Sequence, residues 1–329
     1  MQKKGKNREP LIIITGHGYK KLHIEEKILS SINALIFDAD RVSKDEFLEN
    51  IKLADALIVG DTNIDKKLID IMENCKVISE YGIGVDNIDV KAATNRKIAV
   101  LNVPGYGTGE VADQTMALLL TLARKIYFLT NLTKLKNWSY ARKNTKPIYR
   151  LKGKVLGIIG FGRIGQAVAE RAKSFGLKIL VFDPYQNLHN LKNDYYVSTL
   201  KNIFKESDFI SFHCPLTEGT VNLLDEEKYK LMKKTAYIIN AARGQIINEK
   251  ALLKALESKW IAGAALDVVS DFEFTEDNVL YDYFLNHDNL IIVPHTAWYS
   301  EESEVELRTR ATKGVIDILL DKVPESQVN

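Results

Sequence analysis

The feature that most constrains the fold of this chain is a series of short apolar runs that alternate with amphipathic stretches. Runs rich in β-branched residues occupy 11–15, 34–38, 55–60, 76–82 and 98–102, and apolar residues at helical spacing lie between them. Apolar runs of this length, bounded by turn residues, indicate buried strands. Strands that alternate with helices form right-handed βαβ units, so we predict a parallel α/β sheet.

A second series of the same kind begins at Lys152 and ends in "LIIVPH" at His295. Between the two series, "VPGYGTGE" breaks the pattern and opens an apolar helix predicted over 110–126, which an irregular polar stretch follows to about Arg150. A last helix is predicted over 300–321. Its predicted apolar face consists of Val305, Leu307, Ala311, Val315, Ile318 and Leu319.

Two series of strands predict two domains, which suits a chain of 329 residues. We predict an α/β fold with two Rossmann-like or flavodoxin-like parallel-sheet domains and a cleft between them. The first domain takes residues 1–103 and, after the chain returns, 296–329. The second takes residues 104–295.

Composition excludes several classes of function. A net charge of +2 gives no electrostatic reason to expect nucleic-acid or membrane binding. No apolar run reaches the length of a transmembrane helix, and the basic start lacks the apolar core of a signal peptide. Cys75 and Cys214 lie far apart without metal-binding spacing, so we expect no metal, and a reducing cytoplasm is the simpler interpretation.

The stretch "VLGIIGFGRIGQAVAE" carries Gly160, Gly162 and Gly165 in a GxGxxG motif between a predicted strand and a predicted helix. In this context the first glycine makes the turn, the second admits a pyrophosphate, and the third lets helix and strand pack closely. Asp183 ends the next strand, where a carboxylate binds ribose hydroxyls and repels a 2′-phosphate. We therefore predict NAD as cofactor. The intervening residues predicted to contact it are Phe161, Arg163 and Ile164.

Polar residues follow three later strands, at the sheet edge where open parallel sheets bind ligands. Arg243 can clamp a carboxylate in a bidentate manner, and His295 can exchange a proton near neutral pH. Asp267 and two further acids follow the strand between them, and a carboxylate behind a histidine raises its pKa. A hydride donor, a proton donor and a carboxylate anchor are together what reduction of a 2-oxo acid requires.

With these residues in place, the sequence resembles the D-isomer-specific 2-hydroxyacid dehydrogenase family over nearly its whole length. The motifs that carry the resemblance are "EYGIGVDNID", "NVPGYGTGEVADQTMALLLTLAR", "LGIIGFGRIG", "SFHCPLT", "NAARG" and "GAALDV", in the order of the family. The ending "PHTAWYSEES", with "KVPESQVN", is most similar to the C-terminal-binding-protein branch.

The resemblance implies a homodimer joined through the nucleotide domain, with the active site in the cleft between the domains. It implies that Arg243 anchors the substrate, that His295 is the general acid, and that an acidic residue assists. The loop Tyr81-Gly82-Ile83 would offer backbone N–H groups to the substrate carboxylate. Further cofactor contacts implied or predicted are Thr115, Cys214, Pro215, Thr220, Ala241 and Asp267.

One departure from the family pattern concerns the assisting acid. The family usually has a glutamate five residues after the aspartate of "LDV", and here that position is Phe272. Glu273 is the predicted substitute, and Asp271 is the rival.

A second departure is Glu80, which stands where many relatives carry a basic residue. It disfavours an anionic substrate tail and suits a hydroxyl or ammonium group, or it forms a local ion pair. Trp298 and Tyr106 either line the substrate pocket or pack between the domains. His17 follows the first strand and either faces the substrate cleft or, as the favoured interpretation, is a solvated loop residue. His213 is expected to be structural.

Three functions remain after these considerations. The first is an NAD-dependent reductase of a small 2-oxo acid. The second is an NADH-sensing scaffold for partner proteins, for which residues 1–103 show no recognition insert. The third is a phosphoglycerate dehydrogenase, which Glu80 disfavours. Retention of Arg243 and His295 favours catalysis.

Overall fold

The computed structural model describes residues 8–135, 138–186, 195–271 and 274–329. The chain forms two units, one of Met1–Tyr106 with Ser300–Asn329 and one of Gly107–Tyr299. The sequence placed the two crossings between the units at 103/104 and 295/296.

The described residues form twelve strands and thirteen α-helices. The strands are β1 (Leu11–Thr15), β2 (Leu35–Asp38), β3 (Ala56–Val59), β4 (Val77–Glu80), β5 (Ala99–Leu101), β6 (Val155–Ile159), β7 (Lys178–Phe182), β8 (Tyr195–Val197), β9 (Phe209–Phe212), β10 (Tyr237–Asn240), β11 (Gly263–Leu266) and β12 (Leu290–Ile292). The helices are α1 (His23–Leu29), α2 (Lys44–Ile51), α3 (Lys66–Ile71), α4 (Val90–Asn95), α5 (Thr108–Ala123), α6 (Ile126–Lys134), α7 (Trp138–Lys143), α8 (Arg163–Ser174), α9 (Leu200–Glu206), α10 (Glu226–Leu231), α11 (Glu249–Glu257), α12 (Tyr281–Asn286) and α13 (Glu301–Leu319).

The first unit is built on a five-stranded parallel sheet in the order β2-β1-β3-β4-β5. Ile13 and Leu57 belong to a core shared with α2, α3 and α4. Ile12 and Ile14 point the opposite way along β1 and are also fully buried, on the face where α1 and α13 pack. Because helices cover both faces, the strands are continuous apolar runs and do not alternate.

The second unit is built on a seven-stranded parallel sheet in the order β12-β11-β10-β9-β6-β7-β8. Successive residues of a strand pack into different hydrophobic cores, one on each face of the sheet. Ile158 packs with α5 and α8, whereas Ile159 packs with α9, α10 and α11. The two parallel sheets confirm the predicted fold class.

Several elements differ from the prediction. The long helix stops at Ala123 because Lys125 has a left-handed φ of 53°. The stretch predicted as irregular contains α6 and α7, and β8 has no counterpart among the predicted strands. On α13, Leu307, Ala311 and Val315 are buried as expected, but Val305 is exposed. None of the helices in the described part of the chain has the length and apolar character needed to cross a bilayer.

Candidate active site

The predicted chemical groups follow the strands of the seven-stranded sheet at one edge. All pairs in this sheet are parallel, so the residues after each strand lie along its carboxyl edge. In spatial order from β12 to β7, the residues at this edge are His295, Asp267, Arg243, Cys214, Gly160 and Asp183.

The glycine motif forms the turn from β6 into α8. Gly160 has φ +93°, and a Cβ atom there would lie 2.5 Å from Cys214 N. A Cβ atom at Gly165 would lie 2.2 Å from Gly160 O, whereas one at Gly162 would have no neighbour within 4 Å among the described residues. The open space lies at the amino end of α8, where N–H groups lack helical acceptors. These residues therefore fit a dinucleotide pyrophosphate.

Asp183 links the glycine turn to the end of β7. Its Oδ2 accepts the N–H of Phe161 at 2.8 Å, and its Oδ1 accepts those of Tyr185 and Gln186 at 2.9 and 3.1 Å. The carboxylate is thus held beside the motif, where it suits ribose hydroxyls. Phe161 is buried and Arg163 is exposed.

The other predicted cofactor residues fall into two groups. Cys214 and Pro215 lie in the loop after β9, where the Thr220 hydroxyl donates to Pro215 O at 2.7 Å. Burial raises the pKa of the Cys214 thiol to about 11, so the thiol stays neutral. Ala241 follows β10 directly. Thr115 differs, because it is fully buried in α5 and donates to Val111 O at 2.7 Å; it presents no surface to a ligand.

Arg243 lies in a tight loop between β10 and α11. The loop is held by Asn240, whose Nδ2 donates to Arg243 O at 2.8 Å. The next residue must be glycine, since a Cβ atom at Gly244 would lie 1.9 Å from Val269 O. This close approach packs the arginine loop against the loop after β11.

A carboxylate also fastens the loop after β11. Glu249 Oε1 accepts the N–H of Ser270 at 2.6 Å, and its Oε2 accepts Asn278 Nδ2 at 3.0 Å. Gln245 Nε2 donates to Ser270 O at 2.8 Å. Both backbone groups of Ser270, next to Asp271, are therefore engaged. Sequence reasoning did not find this arrangement, because it joins the first residue of α11 to backbone and side-chain groups that lie about twenty to thirty residues further along the chain.

His295 has an unusual backbone, with φ +50°, a conformation that few non-glycine residues adopt. Asp267 maintains this turn. Its carbonyl oxygen accepts the N–H of His295 at 2.9 Å, and its two carboxylate oxygens accept those of Thr296 and Ala297, each at 3.1 Å. Asp267 is 1% exposed, and burial raises the pKa of its carboxyl to about 6 against the pull of the two N–H groups.

The imidazole of His295 has a lowered pKa. Partial loss of hydration is the larger cause, and the positive charge of Arg243 is the second. The structure therefore brings the predicted proton donor and the predicted substrate anchor into electrostatic contact. Among the described residues, no carboxylate contributes to this pKa shift. Asp271 is exposed, and Glu273 lies outside the described residues.

The predicted substrate loop follows β4 in the first unit. The N–H of Tyr81 is already engaged, since it donates to Val59 O at 2.6 Å, which leaves Gly82 and Ile83 as donors. Glu80 is buried and accepts Asn87 Nδ2 at 3.2 Å. Trp298, in the second unit, is half-buried and meets Tyr299 edge to face.

Of the two other histidines discussed, one prediction was wrong. The side chain of His17 is 1% exposed, and its Nε2 lies 3.0 Å from Asp38 Oδ1. It was expected to be solvated, but the loop 16–18 folds inward onto the carboxylate of Asp40. His213 bonds to Ser211 Oγ at 2.8 Å, and burial lowers its pKa to about 3, which supports the structural interpretation.

Comparison with known proteins identifies the family. Residues 116–297 match the model for the NAD binding domain of the D-isomer specific 2-hydroxyacid dehydrogenases. A glyoxylate reductase of Thermococcus litoralis is 38% identical over 289 residues, which are 86% of each chain. A D-3-phosphoglycerate dehydrogenase of Methanocaldococcus jannaschii is 41% identical over 294 residues, covering 88% of this chain and 55% of that protein.

A solved structure agrees over almost the whole fold. The D-lactate dehydrogenase of Aquifex aeolicus, complexed with NAD and lactic acid, superposes with a TM-score of 0.87 at 28% identity, covering 96% of this chain and 98% of that one. The shared fold, the matching NAD-binding domain and the relatives point to one family. The chain belongs to the D-isomer specific 2-hydroxyacid dehydrogenases, a family of NAD-dependent oxidoreductases.

Proposed function

We propose that this protein interconverts a small 2-oxo acid and the D-2-hydroxy acid, with Arg243 anchoring the carboxylate and His295 exchanging the proton. The observation that carries the proposal is that Arg243 and His295 follow two strands of one parallel sheet at its carboxyl edge, where the Arg243 charge acts on the His295 ring. A carboxylate held by that guanidinium would place its neighbouring carbonyl beside the imidazole.

Arg243 and His295 have separate roles towards the substrate in this proposal. NADH, when bound, supplies a hydride to the carbonyl carbon. Arg243 binds the substrate carboxylate through two parallel N–H bonds, which fixes the plane of the 2-oxo group. A ring nitrogen of His295 gives its proton to the carbonyl oxygen, and in the reverse direction it takes the proton back.

Substrate binding also changes the proton affinity of His295. In the free enzyme the guanidinium lowers the pKa of the imidazole. A bound carboxylate offsets that positive charge and raises the pKa of His295 again. His295 thus gains its proton most readily when a 2-oxo acid is bound. This coupling would support catalysis without a carboxylate beside the ring, and none among the described residues contributes to its pKa shift.

The substrate class follows from charge and from the relatives. Glu80 is buried at the end of β4 and disfavours a phosphorylated tail, although one relative is a D-3-phosphoglycerate dehydrogenase. A small uncharged side chain agrees with the similarity to glyoxylate reductases. In this proposal the predicted domain 1–103 with 296–329 binds substrate, and 104–295 binds NAD.

A homodimer through the NAD-binding domain is part of the proposal. Large apolar side chains are exposed on α6, on α7 and at Leu135, with Trp138 70% exposed. Several exposed apolar side chains in one part of a fold are typical of an association site. The exposed side chains are Ile126, Tyr127, Leu135, Trp138 and Tyr140. Light scattering of the purified protein at twice the mass of 37.2 kDa would support this assembly, and the monomer mass would contradict it.

The test of function is NADH oxidation at neutral pH with a panel of 2-oxo acids. The panel contains glyoxylate, pyruvate, hydroxypyruvate, and branched-chain, amino-bearing and phosphorylated acids. Turnover of small uncharged members is expected. Turnover of phosphorylated acids alone would favour a phosphoglycerate dehydrogenase. Tight NADH binding without turnover would favour an NADH-sensing scaffold of the C-terminal-binding-protein branch.

A further inference from the structure

The first unit contains a buried ion pair between α1 and α13. Arg308 is 3% exposed and Glu25 is fully buried. The guanidinium meets the carboxylate in a bidentate manner, with Nε to Oε1 at 2.8 Å and Nη2 to Oε2 at 2.7 Å. Arg308 also donates to Glu304 and to Lys21 O. Buried charges paired in this way hold their partners in one geometry.

The pair also holds the side chain of Tyr81. The Tyr81 hydroxyl donates to Glu25 Oε1 at 2.8 Å, and the ring is buried. The ring of Tyr19 meets the Tyr81 ring edge to face at 5.6 Å and lies 4.1 Å from the Arg308 guanidinium. Burial and the Glu25 charge keep the pKa of Tyr81 well above its usual range, so the phenol remains a donor at any working pH.

The loop that follows Tyr81 presents donors only. The carbonyl of Gly82 accepts the N–H of Val103 at 2.8 Å, and the carbonyl of Ile83 accepts Asn102 Nδ2 at 2.7 Å. Their own N–H groups have no partner among the residues that the structure describes. A backbone with engaged carbonyls and unengaged N–H groups suits an anion.

We propose that Glu25 and Arg308 act through the Tyr81 ring as positioning residues for a carboxylate site formed by the N–H groups of Gly82 and Ile83. This inference rests on the proposed function, because the anion is the carboxylate of the 2-oxo acid. The side chain and the N–H of Tyr81 are both fastened, so the two residues after it have little freedom. Neither Glu25 nor Arg308 touches the substrate in this arrangement.

The test is Tyr81→Phe, which removes one buried hydroxyl and keeps the ring. A misplacement of about 1 Å can cost about 10²-fold, so a smaller shift of these N–H groups should raise KM for every accepted 2-oxo acid about tenfold. The kcat should stay within about twofold, since Arg243 and His295 are unchanged. The Kd for NADH should not change.

Tyr229→Phe is the matched control. Tyr229 is fully buried in the second unit, and its hydroxyl has no hydrogen-bond partner among the described residues. Its removal should leave KM, kcat and NADH binding unchanged. Arg308→Lys is a second variant, which keeps the charge but loses the bidentate contact, and it should raise KM without lowering kcat.

The outcomes separate this inference from the proposed function. A rise in KM in Tyr81→Phe and Arg308→Lys, absent in Tyr229→Phe, supports the positioning role. Unchanged KM in a folded Tyr81→Phe variant with active wild type overturns the positioning role alone. Wild-type protein that binds NADH and reduces no acid overturns both.

Discussion

The carboxyl edges of the two sheets carry similar residue types in different electrostatic surroundings. At the five-stranded edge His17 is paired with Asp38, and Arg308 with Glu25. At the seven-stranded edge the positive charge of Arg243 lowers the pKa of His295. The ion pairs of the first unit hold neighbouring groups in place, whereas a histidine with a shifted pKa beside an arginine is typical of a functional site. Under the proposed function, the chemistry therefore belongs to the seven-stranded edge.

The largest expected effect comes from replacing one histidine at each edge, which tests the contrast between the two edges. His295→Gln should lower kcat by about 10³-fold, because general acid catalysis contributes roughly 10²–10⁴. His17→Gln should lower stability and leave kcat within about twofold, because its ring binds Asp38 and Tyr19 N inside the fold. Steady-state kinetics and NADH titration measure both variants. Equal losses of kcat would remove the distinction between the edges.

Removal of one partner of the buried pair gives the next largest effect. Glu25→Ala leaves the Arg308 charge buried beside Glu304 alone, and such changes cost about 3–5 kcal/mol. Urea unfolding of this variant should show a large loss. Glu226→Ala is the control, since Glu226 pairs with Lys254 on the exposed face of α10 and its removal should have little effect. A small loss for Glu25→Ala would show that the five-stranded edge does not depend on charge compensation.

Asp267 predicts a moderate dependence of stability on pH. Burial raises its pKa from 3.8 to about 6, so the folded chain keeps a proton that the unfolded chain has lost between these values. The free energy of unfolding should therefore fall as pH rises from about 4 to about 6, by about 2–3 kcal/mol.

Asp267→Asn removes this titration. The free energy of unfolding of this variant should be lower than that of the wild type at every pH, because Asn accepts fewer of the Thr296 and Ala297 N–H groups. It should not fall between pH 4 and pH 6 as that of the wild type does. Denaturant unfolding from pH 4 to 7 compares the two proteins. The same decline in both would assign it to other groups.

The smallest predicted effect is a difference between two pH profiles. The pH profile of kcat/KM reports the free enzyme and that of kcat the bound complex. For reduction both profiles should fall as His295 loses its proton. The fall of kcat should lie at a higher pH than that of kcat/KM, since a bound carboxylate offsets the charge of Arg243. Coincident limbs would show that the substrate does not compensate the arginine.

Much of the fold could be predicted because its signals are local. The strands from β1 to β7 and from β9 to β12 appear as continuous apolar runs, since helices cover both faces. β8 was not predicted because it has only three residues, two of them exposed. The helices α6 and α7 were not predicted because several of their large apolar residues, such as Trp138, are exposed to solvent. They therefore lack the buried apolar face by which a helix is recognised in a sequence.

The site was predictable where a motif has a fixed geometry and not where contacts join distant segments. The glycine turn and the residues after β10, β11 and β12 lie at one edge as the alternation of strands requires. The bond from Arg308 to Glu25 spans 283 positions, and no pattern in the sequence links them. The support that Asp267 gives to the turn of His295 was hidden because its acceptors bind backbone groups, which carry no sequence signal.

The left-handed backbone of His295 opposes the stability of the fold to the proposed proton transfer. A position with φ +50° favours glycine or asparagine, which adopt this conformation at least cost. A His295→Asn variant should therefore gain up to about 1 kcal/mol of stability, and under the proposed function it should lose turnover. If His295 is the proposed proton donor, stability and catalysis place opposite demands on this one position.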